Sequence, residues 1–254
     1  MSDVRWHVES GGAAAPAHRV GTTSSGEFVA EWEGIGTFRG SASAGHFEPD
    51  PRADPRIAAK LERGVARAFQ QQIAGKLALH AGAAERAGKA VVLLGASGSG
   101  KSTATATLCA REGFSLLADD VAAIDQEGDH FVVRPTEAVH SLRDGALALM
   151  GFDETRAPAT LGTGCAGESS RLAAVVLLSP RVEASSVTVQ RLRGREALTA
   201  LVRSTFHLWP DARRNDLDRI SEVCERVAVW QLQRPLDASL ASVAEMLVFA
   251  CEAS

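Results

Sequence analysis

Residues Gly95–Thr103 read GASGSGKST, and Gly95, Gly100, Lys101 and Ser102 fall on the pattern G-x-x-x-x-G-K-[ST]. Glycines at that spacing let a backbone turn tightly enough for successive N–H groups to point into one hollow. The flanks supply the context. Ala90–Leu94 is a continuous apolar run, of the kind buried on both faces of a parallel sheet. Lys101–Arg111 carries small residues and Leu108 in a helical pattern, stopped by Gly113. Strand, glycine loop and helix in that order make a P-loop, whose amides and helix N-terminus attract phosphate. Lys101 is placed to reach the outer phosphates of a nucleoside triphosphate, and the Ser102 hydroxyl to ligate Mg²⁺. The expected nucleotide contacts are Gly95, Ser97, Gly98, Ser99, Gly100, Lys101, Ser102 and Thr103.

Soon after the loop, FSLLADD is an apolar strand ending in Asp119 and Asp120. Proteins with this loop place a carboxylate at a neighbouring strand end to hold Mg²⁺. Two adjacent side chains on extended backbone point in different directions, so the pair can divide the labour. One acid is expected at the metal with Ser102, and the other at the acceptor as a base or orienting group. Close carboxylates raise one another's pKa unless a cation offsets them, and Mg²⁺ with Lys101 would do so. Other residues carry weaker signals. His80 in LALHAG precedes the loop strand, and a lone histidine there is more often packed than functional. Arg171 opens RLAAVVLL, where a guanidinium can reach a phosphate or serve as a solvated loop charge. Arg134 and Arg143 read the same way, and Glu137 is a further acid within reach of the metal.

The rest of the chain of 254 residues divides around this centre. Residues 1–25 are rich in Gly, Ala, Ser and Thr with weak periodicity, and part of them reads as disordered. In 27–48, short apolar runs broken by glycines suit antiparallel strands. PDPRADP excludes a helix. In 56–76, Ile57, Leu61, Val65, Phe69 and Ile73 recur every four residues, one face of a helix. AERAGK reads as a polar turn. HFVVRP, RLAAVVLL, SVTVQRL and VAVWQLQ read as strands. GREALTALVRSTFHLW, DARRNDLDRISEVCERV and SLASVAEMLVFACEA read as helices, and the Gly/Ser/Thr-rich stretch 153–170 as a loop. The division is thus 1–75, a β-rich N-terminal extension with one helix, either a separate small lobe or, the preferred reading, extra strands on one sheet, and 76–254, the nucleotide-binding domain. Net charge is −4, which gives no reason to expect a nucleic-acid surface. Cys109, Cys165, Cys224 and Cys251 are too far apart for a metal pair and read as reduced thiols. No signal-peptide pattern opens the chain and no apolar run reaches the roughly 18 residues of a membrane span. The expected setting is soluble and cytoplasmic, with no membrane partner.

The stretch from His80 to Asp120 resembles the catalytic domain of the HPr kinase/phosphorylase family. LALHAG, GASGSGKST, AREG and FSLLADD stand where that family has a histidine-bearing strand end, a P-loop, a helix ending near glycine and a strand ending in Asp-Asp. The resemblance implies an α/β fold with a phosphoenolpyruvate carboxykinase/HPr kinase-like core and a mixed sheet. It implies a phosphate or acceptor contact for His80, catalysis with Lys101, Asp119 and Asp120, the general base at Asp120, and a phosphate-site role for Arg171. The family's separate N-terminal domain and glycine-rich signature after the aspartates do not stand in this chain. Its strand-rich start, the LHA segment and the late VAVWQL strand look more like shorter HPr-kinase-related proteins, some of which phosphorylate a serine of a lasso-peptide precursor. The family forms hexamers, so the resemblance implies a homo-oligomer.

The expectation is therefore an ATP- and Mg²⁺-dependent kinase acting on a serine of a peptide or small protein. A small-molecule kinase or an ATPase using the same loop is the alternative. A transport ATPase fits less well, because no LSGGQ-like segment occurs.

Overall fold

The structure is a computed structural model that describes residues 3–12, 15–136, 168–210 and 212–254. Glu137, Arg143, Cys165 and most of the stretch expected as a loop lie outside the described residues. The chain forms two units, residues 1–78 with 206–218, and residues 79–205 with 219–254.

The first unit holds its own five-stranded antiparallel sheet, in the order β1 (Val4–Gly12), β2 (Ala15–Thr23), β3 (Phe28–Trp32), β4 (Gly36–Gly40) and β5 (Gly45–Pro49). This corrects two expectations. The N-terminal strands do not extend the second unit's sheet, because each pairs with its neighbour in sequence. Part of residues 1–25 was read as disordered, but most of that stretch forms a β1–β2 hairpin. The small residues there hide a side-chain period, while the backbone ladder needs none. Glycine is required where strands and rings crowd. A Cβ at Gly21 would overlap the Arg5 carbonyl, and one at Gly45 would overlap the Phe38 ring.

Asp54 caps the next helix by accepting a 2.7 Å bond from the Arg56 amide, and Pro55 occupies the first helical position. The helix expected over 56–76 is three pieces: α1 (Pro55–Leu61), one π turn (Glu62–Ala66) and α2 (Arg67–Ile73). Residues four apart overshoot a turn by about 40° in an α-helix, so a strict four-residue stripe drifts off one face. The wider π turn brings it back. Leu61 and Phe69 are buried, but Ile57, on the first turn, is 54% exposed and leaves the stripe. Phe69 packs edge-on against Phe38 and Trp209, with ring centroids 5.5 and 6.1 Å apart.

Trp209 belongs to a segment expected to be helical. Helix α4 (Gly194–Ser204) instead stops at Thr205, which is extended. Residues 206–209 then meet the buried amide of Gln72. Its Nε2 donates to the Phe206 carbonyl at 2.5 Å and to Asp216 Oδ2 at 3.3 Å. Its Oε1 accepts from the amides of Leu208 and Trp209 at 3.0 and 3.3 Å. One side chain thus ties a remote segment into this unit.

The second unit is a curled mixed sheet. Its order is β6 (Leu77–His80), β10 (Val121–Glu127), β11 (His130–Arg134), β12 (Ser170–Leu178), β8 (Lys89–Leu94), β7 (Gly82–Arg86) and β9 (Ser115–Ala118). β14 (Ala228–Gln233) lies parallel beside β12 and pairs with β13 (Thr188–Arg191). The segment AERAGK is mostly strand. Its turn is only Ala87 and Gly88, both at positive φ, a two-residue hairpin. β8, β12 and β14 run parallel, so their carboxyl ends share one edge. Helices α3 (Lys101–Arg111) and α6 (Leu240–Glu252) supply Leu108, Val243 and Leu247 to a core with Val91, Leu93 and Val176. α5 (Ala212–Arg226) is the remaining helix among the described residues. No helix among the described residues is long and apolar enough to cross a membrane.

Replacing Gln72 by Leu keeps the volume but removes a donor to one backbone carbonyl and one carboxylate and an acceptor of two amides. Gln72→Leu is expected to lower stability by about 2–4 kcal/mol, given about 0.5–1.5 for each hydrogen bond lost. A urea titration followed by tryptophan fluorescence measures it, and an unchanged midpoint would remove the anchoring role.

Candidate functional site

The carboxyl end of β8 passes into a loop whose three glycines adopt backbone angles that side chains disfavour. Gly95, Gly98 and Gly100 have φ of 150°, 80° and 89°. A Cβ at Gly95 would come within 2.5 Å of Ser99 Oγ and 3.0 Å of the Leu178 carbonyl. Ser99 N donates to the Ala96 carbonyl at 3.0 Å, which closes the turn. Helix α3 then begins at Lys101 with Gly100 as a left-handed N-cap and no side-chain cap. Its amino end carries the positive end of the dipole and unsatisfied amides. Ser102 and Thr103 are half-buried in that first turn.

Lys101 is 6% exposed. Its Nζ donates to the carbonyls of Gly95 and Ala96 at 2.8 and 3.3 Å and lies 3.2 Å from His80 Nε2. An ammonium only donates, so Nε2 accepts and the His80 proton sits on Nδ1. Nδ1 is 3.1 Å from Asp120 Oδ1 and donates to it. A continuous chain therefore runs Lys101–His80–Asp120. Burial pushes the Lys101 pKa down, and the nearby charges of Asp120 and Asp119 push it back up.

Strand polarity explains the meeting. β9 pairs antiparallel with β7, and β7 antiparallel with β8, so β9 ends at the same edge as the glycine loop. Asp119, 2% exposed, and the half-buried Asp120 follow β9 directly. His80 ends β6, and the Ala81 amide donates to the Asp120 carbonyl at 3.2 Å. His80, which spacing alone left undecided, is thus in the cluster.

A cavity of about 980 Å³ opens at this edge. It is lined by His80 and Gly95–Ser99, by the strand ends Leu177–Arg181, Gln231 and Arg234, and by α4. Arg234 was not singled out from the sequence. It is 8% exposed, directly follows β14, and its Nη2 donates to the Ser99 carbonyl. Its Nη1 would be 3.2 Å from a Cβ at Gly100. Burial and then the neighbouring Arg181 charge lower its pKa. Ser99 Oγ and Arg234 Nε are buried with no hydrogen-bond partner. Such orphans at one loop mark a place where a polar ligand completes the bonding. The only sequence signal for Arg234 was its position at a strand's carboxyl end.

Arg171 is a correction. It pairs in parallel register with Lys89, at the start of β8, whereas Leu177 pairs with Leu94 beside the loop. Six strand residues separate it from that edge, roughly 20 Å at about 3.3 Å each. It is exposed at the opposite end of the sheet and cannot serve the loop. Arg134 is held by Asp125 and Glu127 at 2.9 and 2.8 Å and braces the β10–β11 hairpin. Cys109, Cys224 and Cys251 are free thiols, with burial pushing Cys109 up to about 12 and Cys224 to about 11. Among the described residues no three His, Cys, Asp or Glu side chains cluster as a metal site.

No protein-family model matches this chain, and no curated protein matches it. Among solved structures, the Hpr(Ser) kinase/phosphatase from Coxiella burnetii is similar over 68% of this chain and 94% of that one, at 11% identity and a TM-score of 0.36. That is a distant likeness of fold, and the functional reading rests on the chain's own geometry.

Arg234→Ala removes the guanidinium that holds the loop at Ser99. Hydrogen bonds to charged groups are worth about 1.5–3 kcal/mol, so amide exchange at residues 98–101 is expected to speed up about ten- to a hundredfold. Hydrogen-exchange mass spectrometry reads this directly, and unchanged protection would show that the loop is ordered without Arg234.

Proposed function

We propose that the chain is an ATP- and Mg²⁺-dependent kinase that phosphorylates a serine hydroxyl on a peptide or small protein. The observation that carries the reading is the linked chain Lys101–His80–Asp120, which joins a glycine loop to a carboxylate at one sheet edge. Nucleotide binding alone needs no acid coupled to the loop lysine. The resemblance of His80–Asp120 to HPr kinase/phosphorylase agrees with it, as does the likeness of the chain's start and late strand to the shorter relatives that modify peptide precursors.

The loop fits a triphosphate. Its positive-φ glycines let the backbone turn where a Cβ would collide with Ser99, Leu178 or Arg234, the α3 amides are uncapped, and Arg234 and Ser99 hold unsatisfied donors. The amides cradle the phosphates and Lys101 exchanges its loop carbonyls for phosphate oxygens. Ser102 and Asp119 would hold Mg²⁺, which when bound neutralises developing charge on the phosphates. Asp119 is the better candidate for that role because it is buried next to the loop lysine, whereas Asp120 faces His80.

Asp120 receives the proton of the acceptor hydroxyl. The acceptor oxygen bonds to the γ-phosphorus as the bond to the β–γ bridging oxygen breaks, and ADP leaves with that electron pair. His80 holds the Asp120 carboxylate through Nδ1–H. When Lys101 turns to the phosphates, His80 Nε2 loses its donor and is freed to contact the acceptor. Positioning and charge stabilisation supply most of the rate.

Asp120→Asn is expected to lower phosphoryl transfer from [γ-³²P]ATP at least about a hundredfold, as expected for loss of a general base. Binding of a fluorescent ATP analogue should stay within a few-fold. Transfer near the wild-type rate would remove the base assignment. Lys101→Ala should abolish both readouts, and normal turnover in that variant would sink the nucleotide site.

A further inference from the structure

The cavity beside the loop holds more positive charge than a nucleotide needs. Among its described lining residues are Arg181, Arg195, Arg203 and Arg234, against the single carboxylate of Glu196. Arg195, Thr199 and Arg203 stand four residues apart on α4 and form one stripe toward the cavity, while Ala197 and Leu201 bury the other face. Arg181 Nη1 donates to the Leu236 carbonyl at 2.8 Å, its charge opposes the ionisation of Arg234, and among the described residues it has no ion pair. Arg234 is nine-tenths buried with its Nε unpartnered. Two guanidiniums crowded in this way are relieved by an anion between them.

The lining has three parts: the loop with Arg234, an apolar floor of Leu177, Leu178 and Leu192, and the α4 stripe. The loop amides, Lys101 and Arg234 already account for the phosphates. Arg195 and Arg203 remain, on a different element. The volume sits at the top of the about 300–1,000 Å³ range of ligand pockets, more than one serine side chain requires. His80 lines the same cavity, so whatever fills it lies against the imidazole that holds Asp120.

Resting on the kinase reading, we infer that this cavity is the acceptor site and that it selects an acidic peptide, with Glu or Asp side chains flanking the serine and paired with Arg195, Arg203 and Arg181. Apolar flanking side chains meet the leucine floor. A lysine-flanked peptide is excluded by like charge, which costs a wrong partner more than a right one gains.

The test uses the whole protein with a non-hydrolysable ATP analogue present. Three fluorescein-labelled serine peptides differ only in flanks of Glu, Gln or Lys, and anisotropy reads their binding. A parallel assay reads transfer from [γ-³²P]ATP, to each peptide and to a small hydroxy acid. The Glu peptide is expected to bind at least about tenfold tighter than the Gln peptide and the Lys peptide least. In the charge-reversed variant Arg195→Glu/Arg203→Glu the order should invert. Both positions are exposed on the helix surface, so folding is spared, and Arg195→Lys/Arg203→Lys should keep the wild-type order. Equal binding of the three peptides, or an unaltered order in the charge-reversed variant, overturns the inference even if transfer is seen. Preference for the small hydroxy acid over every peptide also overturns it. Loss of the ATP analogue in the charge-reversed variant would assign the arginines to the nucleotide and overturn it too. Charge-dependent peptide binding without any transfer would uphold the acidic-ligand site and bring down the kinase reading instead.

Discussion

A lysine ammonium taken out of water must be held by something, and in this chain that need organises the second unit. Lys101 is nearly buried, and two loop carbonyls, one imidazole and two nearby carboxylates compensate the lost hydration. Each compensating group requires its own element at one sheet edge. The carbonyls need the positive-φ loop after β8, His80 needs β6 to end there, and the aspartates need β9 to end there. Insertion of β7 between β8 and β9 satisfies the last condition, because two successive antiparallel pairings make β9 parallel to β8. The mixed sheet is thus the geometry that brings one cation to its partners.

What could be read in advance follows from how local each feature is. The loop, the helix after it and the acid pair are each written in a few consecutive residues, and all came out where expected. His80 was ambiguous because its significance is a pair of contacts across 21 and 40 positions, and no spacing rule reports them. Arg234 was missed for the same reason, since its partner lies 135 residues away. Arg171 misled in the opposite way. RLAAVVLL is a strand, as its apolar run implies, but composition does not say which end of a strand meets the loop, and the parallel register sends its first residue to the far edge.

The elements that escaped the sequence reading share a composition. GAAER and VAAIDQE are strands that each carry a pair of alanines, whose small side chains give little periodicity to detect. Their leading residues, Gly82–Ala84 and Val121–Ile124, are buried because neighbours press close. A Cβ at Gly82 would lie 2.6 Å from the Thr105 hydroxyl on α3, so this strand meets the helix at backbone range. The early hairpin and the extended segment after α4 went unread through the same blindness to backbone-led structure. Gln72 shows its other side, a single amide whose four contacts only the folded chain reveals.

The Arg234–Ser99 contact also sets an order of events during synthesis. The glycine loop leaves the ribosome long before the strand that carries Arg234, and the first unit waits for residues 206–218 to return to it. Neither unit can close on the N-terminal portion of the chain alone. A nascent or broken chain would carry the whole glycine motif and still lack the arginine that holds it. Such a fragment would leave the loop unclamped, so a truncated copy would carry the motif without the contact that orders it.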